Sequence, residues 1–215
     1  MRKGVLMWFI SIFSREIKIM KKHTTRYLAY VAVLTAMAFG LMVFPHLPIL
    51  PAPANFLKLD FADVPVVFAG LIFGPIAAVI TAGLKIALYL ICGFSDTLGV
   101  GELSNLIVSL TFALTISILF NIKRNKITLL IAFVSSIVVV ICVAMFSNKF
   151  IIVPLYIRLL ELPQFLVDYV LSDAYILGAV PLFNFIKFEL QALIGFMLYK
   201  SLEKVLPKFS TCPKS

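Results

Sequence analysis

The sequence predicts an all-α integral membrane protein: six transmembrane helices, both termini in the cytoplasm, and a proline-rich external loop between the first two helices. Three observations carry that prediction. The chain is 62% hydrophobic and 13% charged with a mean hydropathy of +1.08, far more apolar than a soluble domain of 215 residues needs for its core. Its apolar residues gather in runs near the length of about 20 residues that crosses a hydrocarbon layer of about 30 Å. Fourteen of its nineteen Lys and Arg fall on one side of a six-span arrangement, the distribution of a multi-pass protein with its basic loops inside.

Residues 1–26 form a basic segment holding Arg2, Lys3, Arg15, Lys18, Lys21, Lys22 and Arg26. Its apolar run GVLMWFISIF is too short to span and is followed by no small-residue cleavage site. Two readings stand: an amphipathic helix in the membrane interface, or an upstream extension with translation starting at Met20. Residues 27–205 are read as one six-helix membrane domain and 206–215 as a cytoplasmic tail.

The six apolar runs are Tyr27–Phe44, Phe61–Phe73, Pro75–Cys92, Gly101–Phe120, Ile127–Ile157 and Ile176–Tyr199. The second is short, and only Gly74 and Pro75 separate it from the third, which predicts a tight helical hairpin with an uncharged turn. The fifth exceeds one span and is expected to tilt or run past the membrane surface. Lys123, Arg124 and Lys126, then Lys200, Lys204, Lys208 and Lys214, mark the cytoplasmic side. Asp60, Asp63, Asp96, Glu102, Glu161, Asp168 and Asp173 are assigned to the outer side. The net charge of +9 is thus a topology signal, and nucleic-acid binding is not indicated.

Polar residues inside apolar runs need a reason. A lysine at the centre of a bilayer costs about 2.5–3.5 kcal/mol, so Lys187 must face protein or water. Asn184, Lys187 and Gln191 recur at i, i+3 and i+7 and share one helical face. Asn148 in SNKFIIVPLY, Asn105 in GELSNL and Lys85 in the third run lie where they can reach the same place. Together they predict a pocket open to the outside, suited to a flat, neutral or weakly acidic molecule with several hydrogen-bonding atoms. For Asn105 the alternative is a hydrogen bond between helices, and for Lys85 neutralisation of a nearby carboxylate. Glu189 is expected to face another helix or a partner.

The loop PHLPILPAPANFLKLDFADVP disfavours helix through its prolines. Leu57, Leu59 and Phe61 then alternate with Lys58, Asp60 and Ala62 as in an extended segment. Asp63 with Pro65 suits a helix start. This loop is either a lid over the pocket or a structured surface turn. On the first helix, Ala32, Ala36 and Gly40 recur every four residues, spacing that lets another helix approach closely.

Cys92, Cys142 and Cys212 form no CxxC and have no histidine near them, so neither a metal site nor a disulfide is expected. The chain lacks GxxxxGK[ST], hence any ATP chemistry must come from partners. No Ser or Cys nucleophile stands beside a base. One enzymatic reading remains, an intramembrane hydrolase using Asp60 and Asp63 as paired acids, against which helix capping by Asp63 is the simpler account.

FLKLDFADVPVVFAGLIFGP, GELSNL, NKFIIVPLY and PLFNFIK together resemble the riboflavin-specific substrate-binding subunits of energy-coupling-factor (ECF) vitamin transporters, over about residues 20 to 205. The resemblance implies a six-helix protein of the bacterial cell membrane that binds riboflavin, or its phosphate FMN, on the outer side. It further implies a transmembrane coupling protein and two ABC ATPases as partners, and no cofactor or enzymatic activity. Asn148, Asn184 and Lys187 are then expected to contact the flavin, and Ala32 and Ala36 the coupling protein. Asn105, Gln191 and the loop residues Leu57, Lys58, Leu59 and Asp60 complete the candidate ligand site. One position departs from the family pattern: Phe188 stands where relatives carry a small residue. A sibling subunit for thiamine, folate or another vitamin is the nearest alternative, because the scaffold alone does not set the ligand.

Overall fold

In the computed structural model the described residues are 24–44 and 47–202, together with Ser14 and Ile17. The expectations for most of residues 1–26 and for the tail 206–215 lie outside them.

Helix α1 (Thr24–Val43) leads into a loop where two-residue strands β1 (Leu47–Pro48) and β2 (Lys58–Leu59) pair antiparallel, Leu47 opposite Leu59. A 3-10 turn at Ala54–Phe56 sits between them. There follow α2 (Asp63–Phe73), α3 (Pro75–Ile91), α4 (Val100–Ile122) and α5 (Lys126–Ser147). A π turn at Asn148–Ile152 joins α5 to α6 (Val153–Leu159), then comes α7 (Gln164–Leu171), and a second π turn at Ala174–Ala179 opens α8 (Val180–Leu202). Four helical stretches are long and apolar enough to cross a membrane: Thr25–Val43, Val100–Phe120, Lys126–Leu159 and Ala174–Leu202. Asp63–Phe73 and Pro75–Ile91 are shorter apolar helices.

Local chemistry explains the boundaries. Gly74 adopts φ 108°, a conformation that L side chains rarely accept, and Pro75 opens α3 where its missing N–H is no loss. At the start of α5 the Asn125 side chain accepts a hydrogen bond from the Thr128 N–H at 2.7 Å, satisfying one orphan donor of the first turn. Each π turn is followed closely by a proline, Pro154 or Pro181. A proline ring clashes with the carbonyl four residues back, and a widened turn relieves that clash.

The core is built around α2, which is enclosed by protein along nearly its whole length; only Ile72 is partly exposed. Gly70 lets α2 approach α4 so closely that an added Cβ would lie 3.0 Å from that of Ser117, whose hydroxyl donates to the Gly70 carbonyl at 2.8 Å. Below the ligand end, Phe112 packs on Phe188 with ring centroids 4.6 Å apart and on Phe133 at 6.2 Å. Phe188 is therefore a core residue directed at α4.

Candidate ligand-binding site

Loop β1–β2 runs into α2 through Asp60, and this residue organises the site. Its carboxylate accepts from Lys187 Nζ at 2.8 Å and from Asn105 Nδ2 at 3.5 Å, while its other oxygen accepts from the Ala62 N–H at 2.9 Å. Its main-chain carbonyl accepts from Gln191 Nε2 at 2.8 Å. Asp63, one helical turn on, pairs with Lys85 of α3 and lies 3.8 Å from Lys187. Two acids and two lysines, all buried, thus form a chain of alternating charge from α3 through α2 to α8.

Asp60 and Asp63, assigned to the outer side by sequence, are 4% and 0% exposed, and each has a lysine to neutralise it. Lys187, expected to face protein or water, meets the Asp60 carboxylate, which offsets the cost of its burial, and also lines the cavity. Lys85 follows the neutralisation alternative, and Glu189 is exposed on α8 rather than packed on another described helix.

Above this cluster opens a cavity of about 360 Å³, a size that suits a small molecule. Its walls are the C-terminal ends of α1 and α3, the π turn after α5 with α6, and the N-terminal parts of α4 and α8, so it lies at the end of the bundle opposite Arg26, Lys123 and Lys200. Seven of the sequence-predicted residues line it: Leu57, Lys58, Asp60, Asn105, Asn148, Asn184 and Lys187. Gln191 and Leu59 do not. Gln191 sits beneath, holding the Asp60 carbonyl, and Leu59 is buried in the strand pair.

The amides are aimed by their helices. Asn148 Nδ2 donates to the Ala144 carbonyl at 2.9 Å and Asn184 Nδ2 to the Val180 carbonyl at 2.8 Å. Tyr175 Oη donates to Asn148 Oδ1 at 3.2 Å. Asn184 Oδ1 accepts no hydrogen bond from the described residues, and Asn105 Oδ1 is buried without one. Such oxygens at a cavity wall are ready acceptors for a ligand's N–H or O–H.

Sequence reasoning placed aromatic residues around the pocket but named none of its aromatic rim. Phe56 of the loop meets Tyr175 at 5.9 Å and Tyr156 at 6.5 Å between ring centroids, and Tyr169 meets Tyr175 at 5.5 Å. The signal available was two tyrosines at the edges of apolar runs: Tyr156 near the end of the fifth, two residues after Pro154, and Tyr175 immediately ahead of the sixth. Thr97 and Glu102 were also missed as lining groups. At the mouth, Lys58 pairs with Asp96 at 3.1 Å, both exposed.

A larger hollow of about 580 Å³ lies between α1, α2 and α8, lined by Tyr30, Met37, Phe68, Leu198 and other apolar residues. It offers a polar ligand almost nothing to bind. Among the described residues no group of three His, Cys, Asp or Glu can hold a metal ion. Ala32, Ala36 and Gly40 are exposed along α1, and nothing lies within 4 Å of where a Gly40 Cβ would stand.

Fold and cavity together define an α-helical membrane protein with a cavity, lined by polar and aromatic side chains, at one end of its bundle. The chain belongs to the family of ECF transporter substrate-specific components, whose model matches residues 26–199. It is 31% identical over 180 residues to riboflavin transporter RibU of Staphylococcus aureus (strain TCH60), covering 83% of this chain and 90% of that one. It is 33% identical over 165 residues to riboflavin transporter FmnP of Bacillus subtilis (strain 168), covering 74% and 83% respectively. A solved structure of the S component of a bacterial ECF transporter superposes with a TM-score of 0.71 at 29% identity, over 86% of this chain and 99% of the other. The family is one of transporter components, which sets aside the hydrolase reading of Asp60 and Asp63.

Proposed function

We propose that this protein is the riboflavin-binding subunit of an ECF-type importer, capturing the vitamin outside the cell and releasing it inward. The observation that carries the reading is the cavity in which Asn105, Asn148, Asn184 and Lys187 converge beneath an aromatic rim. A flavin ring presents a flat face for the tyrosines and Phe56 and edge atoms for the amides and the ammonium. The names of the relatives agree with that chemistry.

The chain crosses the bacterial cell membrane six times with both termini cytoplasmic, residues 27–205 acting as one membrane domain. The basic residues before α1, after α4 and after α8 support that orientation. The two shorter helices complete the count, α2 being shielded from lipid by its neighbours. The cavity then faces outward, and the β1–β2 loop is its lid, held down through Asp60. A transmembrane coupling protein docks on the small-residue stripe Ala32, Ala36 and Gly40, and two ATPases supply the energy, since the chain carries no nucleotide motif.

Fluorescence titration of riboflavin into the purified protein tests the reading: quenching at nanomolar flavin is expected. A competition panel with thiamine and folate separates sibling specificities, and saturable binding of one of these in place of riboflavin would overturn the assignment. Vesicles holding this protein alone should bind flavin without accumulating it.

A further inference from the structure

The charges around the cavity are unevenly matched. Two lysines line it, and each already has a carboxylate: Lys187 with Asp60 at 2.8 Å and Lys58 with Asp96 at 3.1 Å. Glu102, the third lining acid, has no cation paired with it among the described residues. Its Oε2 accepts from the hydroxyls of Ser95 and Thr97, each at 2.9 Å, and the residue is 7% exposed. Lysine and carboxylate charges on the wall therefore sum to one net negative.

The position of Glu102 adds to this. A helix N-terminus is where a phosphate ordinarily binds, because free N–H groups and the helix dipole favour an anion. Helix α4 begins at the cavity, with Gly101 and Glu102 among its lining residues. That terminus is already satisfied from within: Ser95 Oγ accepts from the Gly99 N–H at 3.0 Å, Thr97 Oγ1 from the Gly101 N–H at 3.0 Å, and the Glu102 carboxylate lies in the first turn. Helix α8 offers no free terminus, because the π turn continues into it.

Accepting riboflavin as the ligand, on which this inference rests, we propose that the cavity selects the uncharged vitamin over its phosphate ester, and that Glu102 enforces the difference. A phosphate monoester carries about 1.5–2 negative charges at pH 7. Directed inward, it meets a lysine whose charge is already matched. Directed outward, it meets Glu102 and Asp96, the latter already paired with Lys58. Neither end supplies the unpaired basic group that phosphate recognition uses. Glu102 is a specificity-determining residue in this scheme, acting by repulsion in place of contact.

The test is the ratio of FMN to riboflavin dissociation constants, measured by flavin fluorescence on the purified full chain. Wild type should bind FMN at least about tenfold more weakly, as like charges across a partly dry cavity require. Raising salt from about 0.05 to about 0.5 M should narrow the ratio by screening. Glu102→Gln should narrow it by about three- to tenfold, and Glu102→Asp should keep it. A purely structural role for Glu102 would weaken both ligands together and leave the ratio unmoved, which overturns the assignment to this residue. Equal affinity for the two flavins in wild type overturns the selectivity itself while leaving riboflavin binding intact. Failure to bind either flavin removes the riboflavin reading and this inference with it. The salt series needs no variant, so misfolding of Glu102→Gln cannot shelter the proposal.

Discussion

Replacing Asp60 by Asn and Lys187 by Met, singly and together, separates what the buried ion pair does for the fold from what it does for the ligand. Lys187 Nζ lies 2.8 Å from Asp60 and 3.8 Å from Asp63, which at an effective dielectric of about 20 corresponds to gross attractions of about 6 and about 4 kcal/mol. Asp60→Asn removes the larger attraction but leaves Lys187 facing Asp63, so a net loss of about 1–3 kcal/mol is expected. Lys187→Met leaves Asp60 buried with only the Asn105 amide and the Ala62 N–H, and breaking a buried pair from one side costs about 3–5 kcal/mol. The double variant has no stranded charge there and should recover to within about 1–2 kcal/mol of wild type. Flavin affinity should not recover, because the ammonium remains absent. Thermal unfolding in detergent and flavin titration on all four proteins give both answers. Additive stability losses in the double variant would refute the pairing as the reason these charges are tolerated.

Lys85→Met should cost about 1–3 kcal/mol of stability, because Asp63 loses its close partner and keeps only Lys187 at 3.8 Å, with a smaller proportional effect on flavin affinity because Lys85 does not line the cavity; unfolding and titration read the two together. Asn184→Ala should weaken flavin about tenfold, as loss of one or two hydrogen bonds implies, while the unfolding midpoint stays within a few degrees. Gly74→Ala forces a side chain into φ 108° and should destabilise by about 1–3 kcal/mol, visible as a lower midpoint with flavin stoichiometry unchanged. Ala36→Leu on the exposed stripe of α1 should leave flavin binding by the isolated protein intact and abolish copurification with the coupling protein.

The helix ends and the polar face of α8 were legible in the sequence because they depend on neighbours along the chain. Gly74-Pro75 marks its own turn, and Asn184 and Lys187 declare a shared face by spacing alone. The partner of Lys187 was not legible, since Asp60 precedes it by 127 residues and nothing in the local pattern distinguishes an acid that will be buried from one left in a loop. Counting charge per side placed Asp60 and Asp63 on the outer side but could not show that lysines in neighbouring helices would neutralise them and let them be buried. Gln191 shares the face of Lys187 yet supports the site from below, a difference of depth that periodicity does not encode. Nor do the prolines at 154 and 181 announce that relief will take the form of a π turn, which turns the chain next to Asn148 and ahead of Asn184.

The enclosure of α2 bears on how the chain enters the membrane. Eleven residues, about 16 Å of helix, are too few to partition as an independent segment. Joined to α3 by a single glycine, α2 can be threaded in as half of a hairpin. Within that hairpin Asp63 and Lys85 cancel, so the unit presented to the lipid is neutral although each half alone carries a charge that the hydrocarbon would resist. The fully buried Asp63–Lys85 pair is thus also one that can form early, before α8 is synthesised to bring Lys187 to Asp60.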